Sequence, residues 1–117
     1  MEKIYEQTML FDFYGELLTE HQRSIYEDAV YNDMSLGEIA QDRGISRQGV
    51  HDLIKRCDKI LQDYESKLHL VERFAKAKAT IGEIEELTRL DEAESSAQLE
   101  ERLLAIRKFS EELLEEL

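Results

Sequence analysis

The segment that decides the fold runs from residue 35 to residue 56 and reads SLGEIAQDRGISRQGVHDLIKR. Ser35 and Glu38 form a capping box, a pattern that opens a helix. Gly44 can take the left-handed conformation that ends a helix. Ser46 is then in place to cap a second helix at once. The segment therefore predicts two helices joined by a short turn.

The apolar residues of this segment match a helix-turn-helix, in which a short helix supports a second helix that can enter the major groove of DNA. Ile39 and Ala40 lie where the two helices should meet, and the small Ala40 permits close approach. Val50 and Leu53 should pack the second helix against the first. We expect Ile45 to fill the space beneath the turn. The pattern predicts a helix-turn-helix over residues 35 to 60.

The rest of the chain also has the composition of helices. Among 117 residues there is no proline and there are only five glycines, which is typical of long helices with few interior breaks. Apolar residues recur on several faces over residues 3 to 18, which predicts a core helix. Thr19 and Gln22 form another capping box, and the helix that they open should end near Asn32. The fold class is therefore predicted to be all-α.

Two apolar seams with four-three spacing follow the helix-turn-helix, which predicts two further helices. Two overlapping caps around DEAESS, Asp91 with Glu94 and Ser95 with Gln98, separate the seams and predict a hairpin, with the joint left open between Leu90 and Gln98. We therefore predict an N-terminal helix-turn-helix domain over residues 1 to 66 and an acidic C-terminal helical hairpin over residues 67 to 117. The hairpin is predicted to form a homodimer through seam residues that include Phe74, Ile81, Leu103 and Ile106.

The charge of the chain bears on its partners and its location. The formal net charge is −12, and residues 61 to 117 contribute −7 of it. Such acidity opposes long-range capture by nucleic acid and is compatible with protein partners. Cys57 is the only cysteine, so no internal disulfide can form. With no apolar run long enough to span a membrane and no basic leader, we predict a cytoplasmic protein without membrane association.

Candidate nucleic-acid contacts lie on the second helix of the helix-turn-helix. Arg and Gln side chains suit bidentate contacts with guanine and adenine, and a capping Ser at a helix N-terminus suits a phosphate. Asp52 and Asp58 argue against this role, because they dilute the basic face. The alternative is a solvated face in which these acids are ordinary intrahelical charge partners. The candidate residues are Ser46, Arg47, Gln48, His51, Lys55, Arg56 and Lys59.

No group of residues predicts catalysis or a metal site. His21, His51 and His69 are scattered and lack the spacing that places two ligands on one helical face. Cys57 falls on an apolar helix side and is predicted to be a core residue. Adjacent acids such as Glu85 and Glu86 diverge by about 100° around a helix, so they do not converge on a site. We predict a protein that is not an enzyme and that needs no cofactor.

Two families share characteristic strings with this sequence. Residues 25 to 56, IYEDAVYNDMSLGEIAQDRGISRQGVHDLIKR, resemble region 4 of bacterial sigma factors, which contacts the minus-35 promoter element. From MLFDFYGELLTEHQR onward, the chain resembles the YlxM family of small helix-turn-helix proteins from Gram-positive bacteria and mycoplasmas. It departs from that family's usual pattern at Arg43, where Leu is usual, and at Gly49, where Ala is common. These departures are expected to loosen the recognition helix slightly.

The resemblance to the YlxM family implies a role in protein targeting. Genes of that family lie beside the gene for the signal recognition particle GTPase, which suggests a regulator or accessory component of that pathway. Two expectations follow. The first is a regulatory nucleic-acid-binding protein, with DNA favoured over RNA; RNA would be recognised by the shape of its A-form helix. The alternative is a protein-interaction module that binds signal recognition particle components, above all the GTPase, without nucleic acid.

Overall fold

The computed structural model describes residues 2–117, and this part of the chain contains helices and no strand. The predicted all-α class, a helix-turn-helix followed by a helical hairpin, is confirmed. A short 3-10 turn, Gly15–Leu17, separates the first two helices. The helices are α1 Glu2–Tyr14, α2 Glu20–Val30, α3 Leu36–Arg43, α4 Arg47–Leu68, α5 Leu70–Leu87 and α6 Ser96–Glu116.

Capping boxes open three of these helices, and each was predicted from the sequence. In each box the hydroxyl of the capping residue accepts a hydrogen bond from the backbone N–H of the residue three positions later. The side chain of that later residue accepts a hydrogen bond from the backbone N–H of the capping residue. The boxes are Thr19 with Gln22, Ser35 with Glu38, and Ser95 with Gln98. Helix starts were therefore encoded locally.

Helix ends agree less well with the sequence pattern. The first helix was predicted to reach residue 18, but α1 ends at Tyr14. Gly15 lies under the ring of Phe11, where an added Cβ would be 2.9 Å from Phe11 Cδ1, so this tight turn requires glycine. α2 ends at Val30, two residues before the predicted end near Asn32, and Asp33 then takes a φ of +51° that a helix cannot continue through.

The chain divides into two compact units, of which the first ends at Val71 and the second spans Glu72–Leu117. The predicted division was at residue 66; the first residue of the predicted domain lies outside the described ones. All the buried hydrophobic side chains that the structure describes belong to the first unit. They are Leu10, Tyr14, Leu18, Ile25, Tyr26, Ile39, Ala40, Val50, Cys57 and Leu61.

A polar network closes the end of α4 in the first unit. The hydroxyl of Tyr14 donates to Glu65 Oε1 at 2.5 Å and accepts from the backbone N–H of Leu70 at 3.0 Å. Val71 N–H also donates to Glu65 Oε1, at 3.0 Å. His69, with a φ of +57°, interrupts the helix between these groups. Burial, followed by the hydrogen bond to Glu65, raises the pKa of Tyr14.

The second unit is an antiparallel hairpin. Arg73 Nη2 at the start of α5 donates to the carbonyl of Glu116 at the end of α6, at 3.3 Å. At the other end, Arg102 Nη1 donates to the carbonyl of Leu87 at 3.2 Å and pairs with Glu94 at 2.6 Å. The joint that the sequence left open is now defined, because α6 begins at Ser96. Neither helix of this unit contains a fully buried residue.

Candidate nucleic-acid interface

The turn between α3 and α4 is built by backbone hydrogen bonds and one left-handed glycine. Gly44 has φ +68° and ψ +33°, and its N–H donates to the carbonyl of Ala40. Ile45 N–H donates to the same carbonyl at 3.1 Å, which closes a Schellman-type helix end. Ser46 Oγ then accepts from Gly49 N–H at 2.9 Å and caps α4. The turn is therefore formed as the sequence predicted.

Beneath the turn, α2, α3 and α4 share one apolar cluster. Ile25, Ile39 and Val50 are fully buried in it, and the small Ala40 lies at the contact between α3 and α4. The prediction that Ile45 fills this space is wrong, because Ile45 remains 36% exposed. The three larger buried side chains, with Met34 and Leu36 packed against them, already occupy the space.

The two sides of α4 differ in how far their side chains are buried. Val50, Cys57 and Leu61 are buried on its inner side. At about 100° of rotation per residue, Gln48 and Lys55 lie opposite these residues. Both side chains are exposed. We call this opposite side the outward face of α4; it comprises Gln48, His51, Asp52, Lys55 and Lys59.

The outward face includes some of the predicted contact residues and not others. Gln48, His51, Lys55 and Lys59 project together over about three helical turns. Ser46 caps the start of this helix and is exposed. Arg47 and Arg56 are also exposed, but they lie about 100° and 80° from Gln48 on opposite flanks. A duplex that contacts the outward face would therefore meet these two arginines at its edges.

Asp52 lies on the outward face among the basic side chains. Gln48 Nε2 donates to Asp52 Oδ1 at 2.9 Å, so the amide of Gln48 already has an acceptor. His51 Nδ1 is 3.5 Å from the same oxygen without forming a hydrogen bond. The acid that the sequence placed on the contacting side therefore lies on the outward face, where it is bonded to Gln48.

Asp58, in contrast, does not dilute the basic face as predicted. Its Oδ1 accepts hydrogen bonds from the hydroxyl of Tyr26 at 2.5 Å and from Gln7 Nε2 at 3.0 Å. These donors belong to α2 and α1, so Asp58 joins three helices. Burial, followed by the hydrogen bond to Asp58, raises the pKa of Tyr26. The spacing of residues along α4 gave no sign of this network, because its partners are distant in sequence.

Residues 1–112 match the family described as "Putative helix-turn-helix protein, YlxM / p13 like". The chain belongs to this family. It is 41% identical to the UPF0122 protein of Acetivibrio thermocellus over 98% of this chain and 99% of the relative. It is 41% identical to the UPF0122 protein of Bacillus velezensis over 97% of each chain, and 50% identical to that of Clostridium botulinum over 74% of this chain and 81% of the relative. The resemblance to the YlxM family, inferred from the sequence strings, is confirmed.

Arg43, which departs from the usual family pattern, links α3 to α2. Its Nη2 donates to Asp28 Oδ2 at 2.8 Å and to Ser24 Oγ at 2.5 Å. The hydrogen bond from Arg43 is the largest cause that lowers the pKa of Asp28. A leucine could not make these bonds, so Arg43 reinforces the support of α4 instead of loosening it. Sequence reasoning missed this link because Asp28 and Ser24 lie on another helix.

Gly49, the second departure, lies in the first turn of α4. An added Cβ would be 3.0 Å from Ser46 Oγ, which is tighter than an ordinary contact. The oxygen of Ser46 is the group that caps the helix. Glycine therefore leaves the cap undisturbed, at the usual cost in backbone entropy of a glycine within a helix.

The remaining candidate groups have ordinary structural roles. Cys57 is fully buried, and burial raises the pKa of its thiol to about 11. The thiol is therefore protonated at neutral pH, in agreement with the predicted core role. Across residues 2–117, no three His, Cys, Asp or Glu side chains are grouped closely enough to hold a metal ion.

None of the helices within residues 2–117 is both long and apolar enough to cross a lipid bilayer.

Proposed function

We propose that this protein is a regulatory nucleic-acid-binding protein that places the outward face of α4 in the major groove of DNA. The observation that carries the proposal is the division of α4 into two sides. Val50, Cys57 and Leu61 fix the helix in the core, while Gln48 and Lys55 are exposed on the other side. A helix held this way is the element that helix-turn-helix proteins use to contact base edges. We assign the chain no catalytic role.

Each proposed contact residue has a role that suits its chemistry. Gln48 can make a bidentate contact with adenine, and Arg47 with guanine. Ser46 and the N-terminus of α4 suit a phosphate, because helix N-termini attract anions. Lys55 and Lys59 suit the backbone phosphates further along the groove, with His51 between them and Gln48. Arg56 would contact phosphate from the flank.

Asp52 is proposed to limit the affinity of this face. A carboxylate on the contacting side repels phosphates and can accept a hydrogen bond only from a base donor, such as the amino group of cytosine. The net charge of −12 further opposes non-specific capture. We therefore expect weak binding to random DNA and a stronger dependence on sequence.

Fluorescence anisotropy with labelled duplex DNA, at about 50 and 200 mM salt, tests the proposal. Lys55→Ala should lower the salt dependence of binding by about one phosphate contact. Lys67→Ala is the matched control, because Lys67 is exposed in the last turn of the same helix. Asp52→Ala should strengthen binding. Equal effects of the two lysine variants would contradict the assignment of the outward face as the surface that contacts DNA.

A homodimer is also proposed, formed by the hairpin. Ile81 is 54% exposed, Leu103 is 65% exposed and Phe74 is 46% exposed, whereas Ile106 is half-buried. Large apolar side chains exposed on a helical surface are typical of an interface. A dimer would carry two helix-turn-helix units and could contact two half-sites.

The acidity of the chain favours a second candidate function. A net charge of −12 suits a basic protein partner better than a polyanion. The resemblance to the YlxM family suggests that this partner is the signal recognition particle GTPase. A pull-down of that GTPase by the purified chain should survive nuclease treatment and weaken as salt is raised. Loss of the GTPase after nuclease treatment would instead favour the nucleic-acid function.

A further inference from the structure

The two helices of the hairpin are held in a defined register. The bonds from Arg73 to Glu116 and from Arg102 to Leu87 fix both ends. Between these points the antiparallel helices rise equally, at about 1.5 Å per residue. Residue 78 therefore lies level with residue 111, and residue 85 lies level with residue 104.

The half-buried residues show which sides of the helices face each other. Ala77 and Ile84 of α5 and Leu99 and Ile106 of α6 are less exposed than their neighbours. Because successive residues rotate by about 100° around the helix axis, a second row of side chains lies beside the half-buried ones on each helix. Because the helices are antiparallel and both right-handed, the two rows lie on the same side of the hairpin. We call this side the hairpin face; its residues are Phe74, Lys78, Ile81 and Glu85 of α5, and Glu100, Leu103, Arg107, Glu111 and Leu114 of α6.

The hairpin face has an apolar centre and charged rims. Ile81, Leu103 and Leu114 lie toward the middle of the face and are 54%, 65% and 75% exposed. Next to them, Leu103 and Ile106 help to line an apolar groove of about 300 Å³ at the tip of the hairpin. Lateral to these residues, each helix presents a row of alternating charges. An exposed apolar strip between charged rims is the anatomy of a protein interface.

The charges of the two rims are complementary in the register of the hairpin. Lys78 on the α5 rim is level with Glu111 on the α6 rim. Glu85 lies within one turn of Arg107. The order on α5 is positive then negative, and the order on α6 at about the same levels is negative then positive. The face therefore matches a second copy of itself by charge.

We propose that the hairpin face binds the hairpin face of a second copy, with α5 of one chain packed along α6 of the other. The two-fold axis runs parallel to the helices, so every contact occurs twice. Lys78 then opposes Glu111 of the second copy, and Glu85 lies within one turn of Arg107 of the second copy. Ile81, Leu103 and Leu114 are covered in the centre of a four-helix bundle. This inference rests on the homodimer proposed above and adds its pairing and register.

The charges on this face already have partners within one chain. Arg107 pairs with Glu111 at 3.2 Å. The two side chains of this pair are 78% and 63% exposed. Such exposed pairs contribute little and exchange easily. Association can therefore redirect them across the interface at small cost.

Sedimentation equilibrium of the full chain tests the pairing through a charge swap. Lys78→Glu and Glu111→Lys should each weaken self-association about tenfold, because each variant places like charges in contact twice. The double variant, K78E with E111K, should restore the affinity of the original chain. Circular dichroism confirms that each variant remains helical.

Matched controls separate this effect from a change in net charge. Lys76→Glu and Glu112→Lys make the same charge changes at exposed positions on other sides of the same helices. They should leave self-association within about twofold. Single variants that behave like these controls, or a double variant that restores nothing, would overturn the pairing while the homodimer stands.

A chain that stays monomeric at hundreds of micromolar would overturn both the pairing and the homodimer. Neither result bears on nucleic-acid binding, which the salt-dependent titration of Lys55→Ala measures separately. Dissociation of the dimer in the Lys78→Glu variant, and its restoration in the variant that also carries Glu111→Lys, would establish the register.

Discussion

The first unit and the hairpin are built from helices with similar apolar spacing, yet they differ in how much they bury. The unit that ends at Val71 contains every fully buried hydrophobic side chain of the described residues, whereas the hairpin contains none. Four helices can cover one another on several sides, but two helices cover only one stripe each. The comparison teaches that periodicity predicts a helix and its apolar side, but not how many neighbours will cover that side.

Polar contacts follow the same division. In the first unit, Asp58 and Arg43 connect helices that are distant in sequence, in partly buried surroundings. In the hairpin, the ion pair of Arg107 with Glu111 lies within one helix and is exposed. Partly buried hydrogen bonds between elements stabilise a fold more than exposed pairs within one helix.

The sharpest test of this contrast replaces one isoleucine by alanine in each unit. Ile39→Ala should destabilise the protein by about 2–5 kcal/mol, because Ile39 is fully buried and its removal leaves a cavity. Ile84→Ala, at a half-buried position of α5, should cost about 1 kcal/mol or less. Urea unfolding followed by circular dichroism measures both. Similar costs would mean that the hairpin has a core of its own.

A second test compares two acids on α4. Asp58→Ala should cost about 1–3 kcal/mol, because it leaves the buried hydroxyl of Tyr26 without its acceptor. Asp52→Ala, on the exposed outward face, should change stability by no more than about 0.5 kcal/mol. Thermal melts of the two variants give the comparison. Equal melting temperatures would contradict the cross-helix role of Asp58.

Two glycines offer a test with opposite signs. Gly44→Ala should destabilise the first unit by about 1 kcal/mol, because φ is +68° there and an L-residue is strained. Gly82→Ala should stabilise α5 by about 0.5–1 kcal/mol, because Gly82 lies within the helix and an added Cβ meets nothing within 4 Å. Urea midpoints should therefore move in opposite directions. A loss of stability in both variants would show that Gly82 has a packing role.

The smallest expected effect concerns pH and the link between Arg43 and Asp28. The hydrogen bond from Arg43 holds the pKa of Asp28 below its ordinary value of 3.8. A carboxyl group whose pKa is lower in the folded state than in the unfolded state stabilises the fold at pH values above its unfolded pKa. This stabilisation is lost as the pH falls through its folded pKa. Arg43→Leu should therefore reduce the loss of stability below about pH 4. Unfolding at pH 7 and pH 3 checks this, and an unchanged difference between the two would contradict it.

Local features of the fold were predictable, and long-range ones were not. The boxes at Thr19, Ser35 and Ser95 and the left-handed Gly44 form as expected, because each depends on groups within a few residues. The end of α1 depended on the ring of Phe11 above Gly15. The exposure of Ile45 depended on other side chains that already fill the cluster. For the candidate site, the outward residues followed from helical spacing, but the inward role of Asp58 did not.

By itself the sequence determined the all-α class, the helix-turn-helix and the family, because caps, turn residues and apolar periodicity act over short distances along the chain. Only the tertiary structure decided which side chains link separate helices. Asp58 bonds to Tyr26 and Gln7 only after packing has brought α2 and α1 beside α4. Arg43 bonds to Asp28 only after α3 has packed beside α2. The physical reason is that these hydrogen bonds act at about 3 Å through space, whatever the separation along the chain.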